Sequence, residues 1–291
     1  MSELAAAYVI HLLNGLAYGM LLFLLAIGLS LIFGVMDVLH LSHGSFYLWA
    51  AYLALTIAGS GWGFWVGLVV APLAVGVGGL VLARLFLRPL FSRGHLDQAL
   101  LTLGVAFVLA DGARWIWGSR IRSLPPPAEL ASAVSILGHP FPSYRLFVIA
   151  IGLVLAAVVW MALERSRVGA IIRAGVTDRQ MVSGLGIDVD AVFVGVFAVG
   201  AALAGLGGVL ASPILTIGPG TDFQVLILAL IVVVIGKTGS FSGTMWGSLL
   251  VGEVTILGAA IAPRFASFVL FGLMATVLIL RPTTGGQGQD G

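Results

Sequence analysis

Glu164-Arg-Ser-Arg-Val-Gly-Ala-Ile-Ile-Arg-Ala-Gly-Val-Thr-Asp-Arg-Gln-Met-Val-Ser-Gly-Leu-Gly-Ile187 is an island of charge between two long apolar runs. Placed on a helix, Val168, Ile171, Ile172, Gly175 and Val176 share one face, and Arg173, Thr177 and Gln180 share another. A helix immersed in lipid would not carry four arginines in so short a run. A plain linker would not keep an apolar stripe. The stretch reads as a short helix outside a bilayer that offers one face to another protein. Its candidate coupling residues are Arg173, Gly175, Asp178, Arg179, Gly184 and Gly186, with Gly175 as the point of close approach.

The flanking composition fixes the class. The 291 residues are 60% hydrophobic and 9% charged, with a mean hydropathy of +1.13. A water-soluble domain carries roughly 25% charged residues, so this chain cannot clothe itself in water. Its apolar runs are about 20 residues long without alternation, which selects helices over a barrel. The fold class is therefore all-α, a polytopic helical membrane protein. The net charge of +2 arises from few groups in loops and carries no nucleic-acid signal. No cysteine is present, which removes disulfides, thiol nucleophiles and thiolate metal sites. The N-terminus has Glu3, no early Lys or Arg, and an apolar stretch too long for a cleaved signal.

Spans are expected near 5–33, 44–60, 62–83, 97–118, 144–163, 188–211, 223–236, 244–262 and 266–280, about eight or nine crossings. The first is overlong and 223–236 is short. Arg84, Arg88 and Arg93 form one basic loop, and Arg165, Arg167, Arg173 and Arg179 another. Two spans separate them, so both fall on one side, the cytoplasmic side by the positive-inside rule. Arg120 and Arg122, in the loop 119–143, go against that rule mildly. Residues 1–282 form one transmembrane domain with 164–187 as its coupling segment; 283–291 form a Gly- and Gln-rich tail expected to be disordered on the cytoplasmic side.

Leu31–Trp49 and Leu230–Trp246 resemble each other: an apolar run, a polar Gly-containing break, then a second apolar run. Interrupted segments at corresponding places point to a transport pathway. The candidate pathway residues are His40, Ser42, His43, Gly44 and Phe46 at the first break, and Ser240, Phe241, Ser242 and Gly243 at the second. Chance self-similarity of Gly-rich apolar sequence is the bland alternative. His40 and His43 could approach one metal, but only Asp37 is grouped with them, so no metal site is assigned. They line a polar cavity, or they satisfy backbone at a helix terminus. Gly236-Lys237-Thr238 is no P-loop, because Ile231 stands where the motif needs glycine. Asp111 and Glu253 fall inside spans; pairing across helices is preferred to a proton relay, with Arg114 as partner of Asp111. Gly200, Ala204 and Gly208, and Gly15 with Gly19, are small-residue packing stripes. No catalytic residue and no cofactor is expected.

Several separated motifs resemble one family. Leu13-Asn-Gly-Leu-Ala-Tyr-Gly19, Gly28-Leu-Ser-Leu-Ile-Phe-Gly34, the His43-Gly44 segment, the loop 164–187, and Gly239-Ser-Phe-Ser-Gly243 through Leu280-Arg-Pro282 are similar to the LivH-like permease subunits of branched-chain amino-acid ABC importers. The match runs in order over about 8–282. It implies a second, LivM-like permease, two cytoplasmic ATPase subunits, a periplasmic substrate-binding protein, and a bacterial inner-membrane location in contact with lipid. Typical members carry Asn-Phe-Ala-His-Gly or Asn-Leu-Ala-His-Gly where this chain has His40-Leu-Ser-His-Gly44, and many have Gly-Gly where it has Gly236-Lys237. Related permeases serve urea, short amides or small aromatic carboxylates. A proton-coupled carrier or a passive channel would need no docking helix such as 164–187.

Overall fold

The computed structural model describes residues 3–91 and 93–280; the tail 283–291 lies outside the described residues. α1 (Glu3–Met36) is 34 residues long and apolar on every side. Such a helix belongs in the interior. Accordingly Phe23, Leu24, Ala26 and Ile32 are fully buried. α2 (His43–Ile57) and α3 (Gly63–Leu82) form an antiparallel hairpin, with Gly67 against Ala54. The turn between them is made by Gly61 (φ 90°) and Gly63 (φ 80°), both in the left-handed region that only glycine adopts cheaply. α4 (His95–Trp117) and α5 (Ser143–Trp160) follow, then two short helices, α6 (Arg167–Thr177) and α7 (Arg179–Gly184). α8 (Val189–Ala211) is the hub, running antiparallel to α1 and α3. α9 (Thr221–Gly236) and α10 (Phe241–Ile261) form a second tight hairpin, and α11 (Ala266–Leu280) closes the chain.

Seven helical segments are long and apolar enough to cross a membrane when His43–Leu90 is taken as one. The glycine turn splits that segment in two, and α9 adds a shorter apolar helix. The nine expected segments are thus all present, but not all are full crossings. The expected span 44–60 is present as α2 and the π-helical turn Ala58–Trp62 that continues it.

After α1 ends, residues 37–40 run without regular structure and turn into α2 at 41–42. Asp37 pairs with His95, at the start of α4 (3.5 Å). Thr102 Oγ1 donates to Leu39 O (2.9 Å) and accepts from Leu41 N (3.2 Å). Thr102 lies about 10 Å up α4 from His95 at 1.5 Å per residue. His43 Nε2–H donates to Leu25 O (2.9 Å), and Leu25 lies about 16 Å back along α1 from Met36. Two helices therefore serve as independent rulers and agree that the chain climbs back into the molecule before α2 begins. Non-helical backbone at such depth is tolerated only where protein or water satisfies it. Here Thr102 does so.

The two arginine-rich segments share one end of the molecule, since Arg88 pairs with Asp188 (3.2 Å). The opposite end joins the loop after α4 to the loop after α8 through the Arg122–Ile217 bridge. The one departure from an all-helical reading among the described residues is also there. β1 (Ala133–Ile136) and β2 (His139–Pro142) pair antiparallel, Ile136 opposite His139, across Leu137 and Gly138, both at positive φ. A type I′ hairpin demands that geometry.

The small-residue stripes pack α8 and α1. A Cβ on Gly208 would lie 2.2 Å from Tyr47 O, and one on Gly200 would strike Ile32 Cδ1 at 2.7 Å. Ala204 between them is fully buried. On α1, Gly19 lies against Ser248 O and Gly15 against the Glu253 carboxylate.

Candidate functional site

The first break is sealed. His40, Ser42 and His43 are at most 1% exposed. The His40 ring lies 5.3 Å from that of His43 and 4.4 Å from that of Phe197, and its Nδ1 bonds Ser42 Oγ (3.2 Å). Phe46 packs on both His40 and Phe197. No group of three potential metal ligands exists among the described residues. Gly44 is needed for contact: a Cβ there would stand 1.9 Å from Asp222 O. Beside it, Ser45 Oγ reaches Asp222 Oδ2 (3.5 Å). Asp222 was not singled out in the sequence, yet it is 2% exposed, in the first turn of α9. The signal was there: Gly218-Pro-Gly-Thr-Asp222 before an apolar run marks a helix start, where a carboxylate suits the helix dipole.

The second break is open. α9 stops at Gly236 because Lys237 (φ 75°) and Gly239 (φ 72°) are both left-handed. Ser240 Oγ then caps α10 by accepting from Gly243 N (3.1 Å). Gly243 and Gly236 touch so closely that a Cβ on the former would meet Gly236 O at 1.6 Å. Ser30 Oγ ties the break to α1, accepting from Gly239 N (3.1 Å) and meeting Thr244 Oγ1 (3.0 Å). A cavity of about 660 Å³ lies alongside, lined by Ser240, Phe241 and Ser242 with Glu164, Arg165 and Lys237. Residues 40–46 take no part in its lining. In this conformation that cavity is lined by the second break and not by the first. Both 31–49 and 230–246 run helix, break, helix, with a positive-φ residue directly after the first helix, Asp37 (φ 52°) and Lys237 (φ 75°). α9 and α10 form a tight hairpin, whereas α1 and α2 diverge around α8 and α9.

The segment 164–187 is two helices where one was expected. Asp178 (φ −151°) breaks it, and its carboxylate caps α7 by accepting from Met181 N (2.9 Å). Ser166 caps α6 in the same way, from Gly169 N (3.1 Å). The apolar stripe divides: Gly169, Ile172 and Gly175 are buried, while Val168 and Val176 are exposed. Gly175 approaches its own α8, at 3.3 Å between its added Cβ and Val189. Gly184 and Gly186 are exposed, Gly186 at φ 82°. Arg179 pairs with Asp190 and lies over the Phe193 ring (5.3 Å); Arg88 holds Asp188 and Asp190 from the other side. Arg173 pairs with Glu164 (3.7 Å). Both arginines brace the segment against its own subunit. Two large apolar side chains of the segment also face outward, Met181 at 65% and Leu185 at 71% exposure.

Asp188 caps α8, accepting from Ala191 N (3.0 Å). That bond, and then Arg88, hold its carboxyl below the usual carboxylate range. Asp111 pairs with Arg114 (3.1 Å) on an exposed face, as expected. Among the described residues Glu253 has no such partner, and its Oε2 is buried without a hydrogen bond.

Residues 11–278 match the family described as branched-chain amino acid transport system / permease component. The high-affinity branched-chain amino acid transport system permease protein BraD of Pseudomonas aeruginosa is 28% identical, over 95% of this chain and 94% of its own. The corresponding LivH of Escherichia coli K12 is also 28% identical, over 97% and 96%. A probable LivH of Methanocaldococcus jannaschii is 24% identical, over 93% and 88%. No solved structure matches. The chain belongs to this permease family.

Proposed function

We propose that this family member forms half of the translocation pathway of an ATP-driven importer of branched-chain amino acids. The family match over 11–278, nearly the whole chain, carries the reading. A second, related permease supplies the other half, a periplasmic binding protein delivers the substrate, and two cytoplasmic ATPase subunits drive the cycle in a bacterial inner membrane. The chain makes and breaks no bonds itself.

Coupling falls to α6 and α7. A lever must be stiff on its own side and apolar on the other. Caps at Ser166, Asp178 and Asp188, and the Arg88–Asp188–Asp190–Arg179 network, supply the stiffness. Met181 and Leu185 supply an exposed apolar face for the ATPase subunit. Ser240, Phe241, Ser242 and Gly243 line the inner mouth of the pathway; His40, Ser42, His43, Gly44 and Phe46 form its closed wall. Affinity purification in mild detergent should bring down two ATPase polypeptides and a second permease. Leu185→Asp should cut uptake against ATP hydrolysis while leaving membrane insertion unchanged. Uptake that persists without ATP and collapses with the proton gradient would overturn the reading.

A further inference from the structure

At the end opposite α6 and α7, a cavity of about 270 Å³ opens between α1, α5, α10 and the chain after α8. Its polar lining is Asn14, Tyr18, Arg145 and Thr255, and its apolar lining includes Ile214 and Leu215. Arg145 lies in the first turn of α5, half-buried. Its guanidinium donates to the Asn14 carboxamide oxygen. Among the described residues no carboxylate stands within ion-pair distance of it. Arg114 and Arg88, by contrast, each have a carboxylate partner, Asp111 and Asp188. A cation in such a place, facing a cavity and held by a neutral amide, is poised for an anion that the subunit does not contain. The guanidinium presents five donors, and one amide oxygen leaves the fork free to take a carboxylate in two parallel bonds. The N-terminal turn of α5 adds partial positive charge of the same sense. The volume suits a small molecule, and the isoleucine and leucine across from Arg145 suit an aliphatic chain.

We propose that this cavity is a receiving site for the carboxylate of an aliphatic α-amino acid at the outer mouth of the subunit. Arg145 takes the carboxylate, Asn14 holds the guanidinium in position, and Ile214 and Leu215 take the side chain. The proposal rests on the importer reading above and locates in this subunit a substrate contact made by charge.

The test uses the full importer in nanodiscs and in proteoliposomes. In nanodiscs without binding protein, leucine should raise the complex's thermal unfolding temperature at millimolar concentration, and leucinamide, lacking the carboxylate, should not. Arg145→Gln should abolish the leucine effect, and Arg145→Lys should retain part of it. In proteoliposomes with binding protein, Arg145→Gln should lower uptake at limiting substrate roughly tenfold or more. Asn14→Ala should weaken uptake less, by letting the guanidinium wander. Equal stabilisation by leucine and leucinamide, or wild-type uptake in Arg145→Gln, would overturn the site while leaving the importer reading intact. An Arg145-dependent stabilisation by anionic phospholipid but not by leucine would assign the cavity to a lipid headgroup and also overturn it. If the wild-type complex takes up no amino acid but Arg145-dependent leucine binding persists, the importer reading fails separately.

Discussion

At the residue scale, Thr102 does the work that lets the first break exist. One hydroxyl accepts from Leu41 N and donates to Leu39 O, satisfying extended backbone in the interior. Removing it leaves two part-buried polar groups unmatched, at up to about 1–3 kcal/mol each. Thr102→Val, nearly isosteric, should therefore destabilise the protein by about 2 kcal/mol or more, and Thr102→Ser should cost under about 1 kcal/mol. Unfolding in mixed detergent with increasing sodium dodecyl sulfate reads both, and equal midpoints for the two variants would refute the role. Sequence could not have named this threonine. It stands in an ordinary apolar stretch, Leu100-Leu-Thr-Leu103, and its partners lie some 60 positions away. Gly44 was legible because a Gly in a polar break is conspicuous; the carbonyl it makes room for, on Asp222, was not.

At the element scale, α6 and α7 show what a helical pattern tells and omits. The period of apolar residues located the helical segment. It could not tell which apolar residues turn inward, because Ile172 and Val176 differ by a single turn yet one is buried and the other exposed. Nor did it anticipate the break at Asp178, an ordinary capping residue in the middle of a continuous stripe. The joint between this element and α8 is Asp188, and its behaviour with pH has a definite sign. The folded carboxyl titrates below its unfolded value of about 3.9, so its stabilising contacts are complete above that pH. They are lost as pH falls through the lowered folded value. Amide exchange at Val189–Val192 should hence accelerate only in acid below about pH 4. Asp188→Asn, which still caps but carries no charge, should remove most of that acid dependence. Unchanged acid sensitivity in this variant would place the titration elsewhere.

At the scale of the whole molecule, composition alone was enough for the class, and the apolar runs located nearly every helix. Depth was the missing dimension. A sequence marks where a helix stops, but not that the chain from Asp37 to Ser42 then climbs back inside; that depends on α1 and α4 standing side by side. The consequence for the pathway is that its two candidate walls differ in this conformation, Ser42 fully buried and Ser242 exposed beside the cavity. The chain has no cysteine, so a single introduced thiol reports one position without background. Ser242→Cys should react readily with a membrane-impermeant maleimide from the α6–α7 end, and Ser42→Cys should be protected in the nucleotide-free complex. If the pathway alternates access, the Ser42 thiol must become reactive in another nucleotide state, because a wall that never meets water carries no polar solute past it. A change of at least tenfold in its labelling rate, against a fixed rate for a lipid-facing control at Trp115, is the expected outcome. Protection of Ser42→Cys in every state would reassign His40–Phe46 from pathway wall to structural core, and leave the second break alone to line the route.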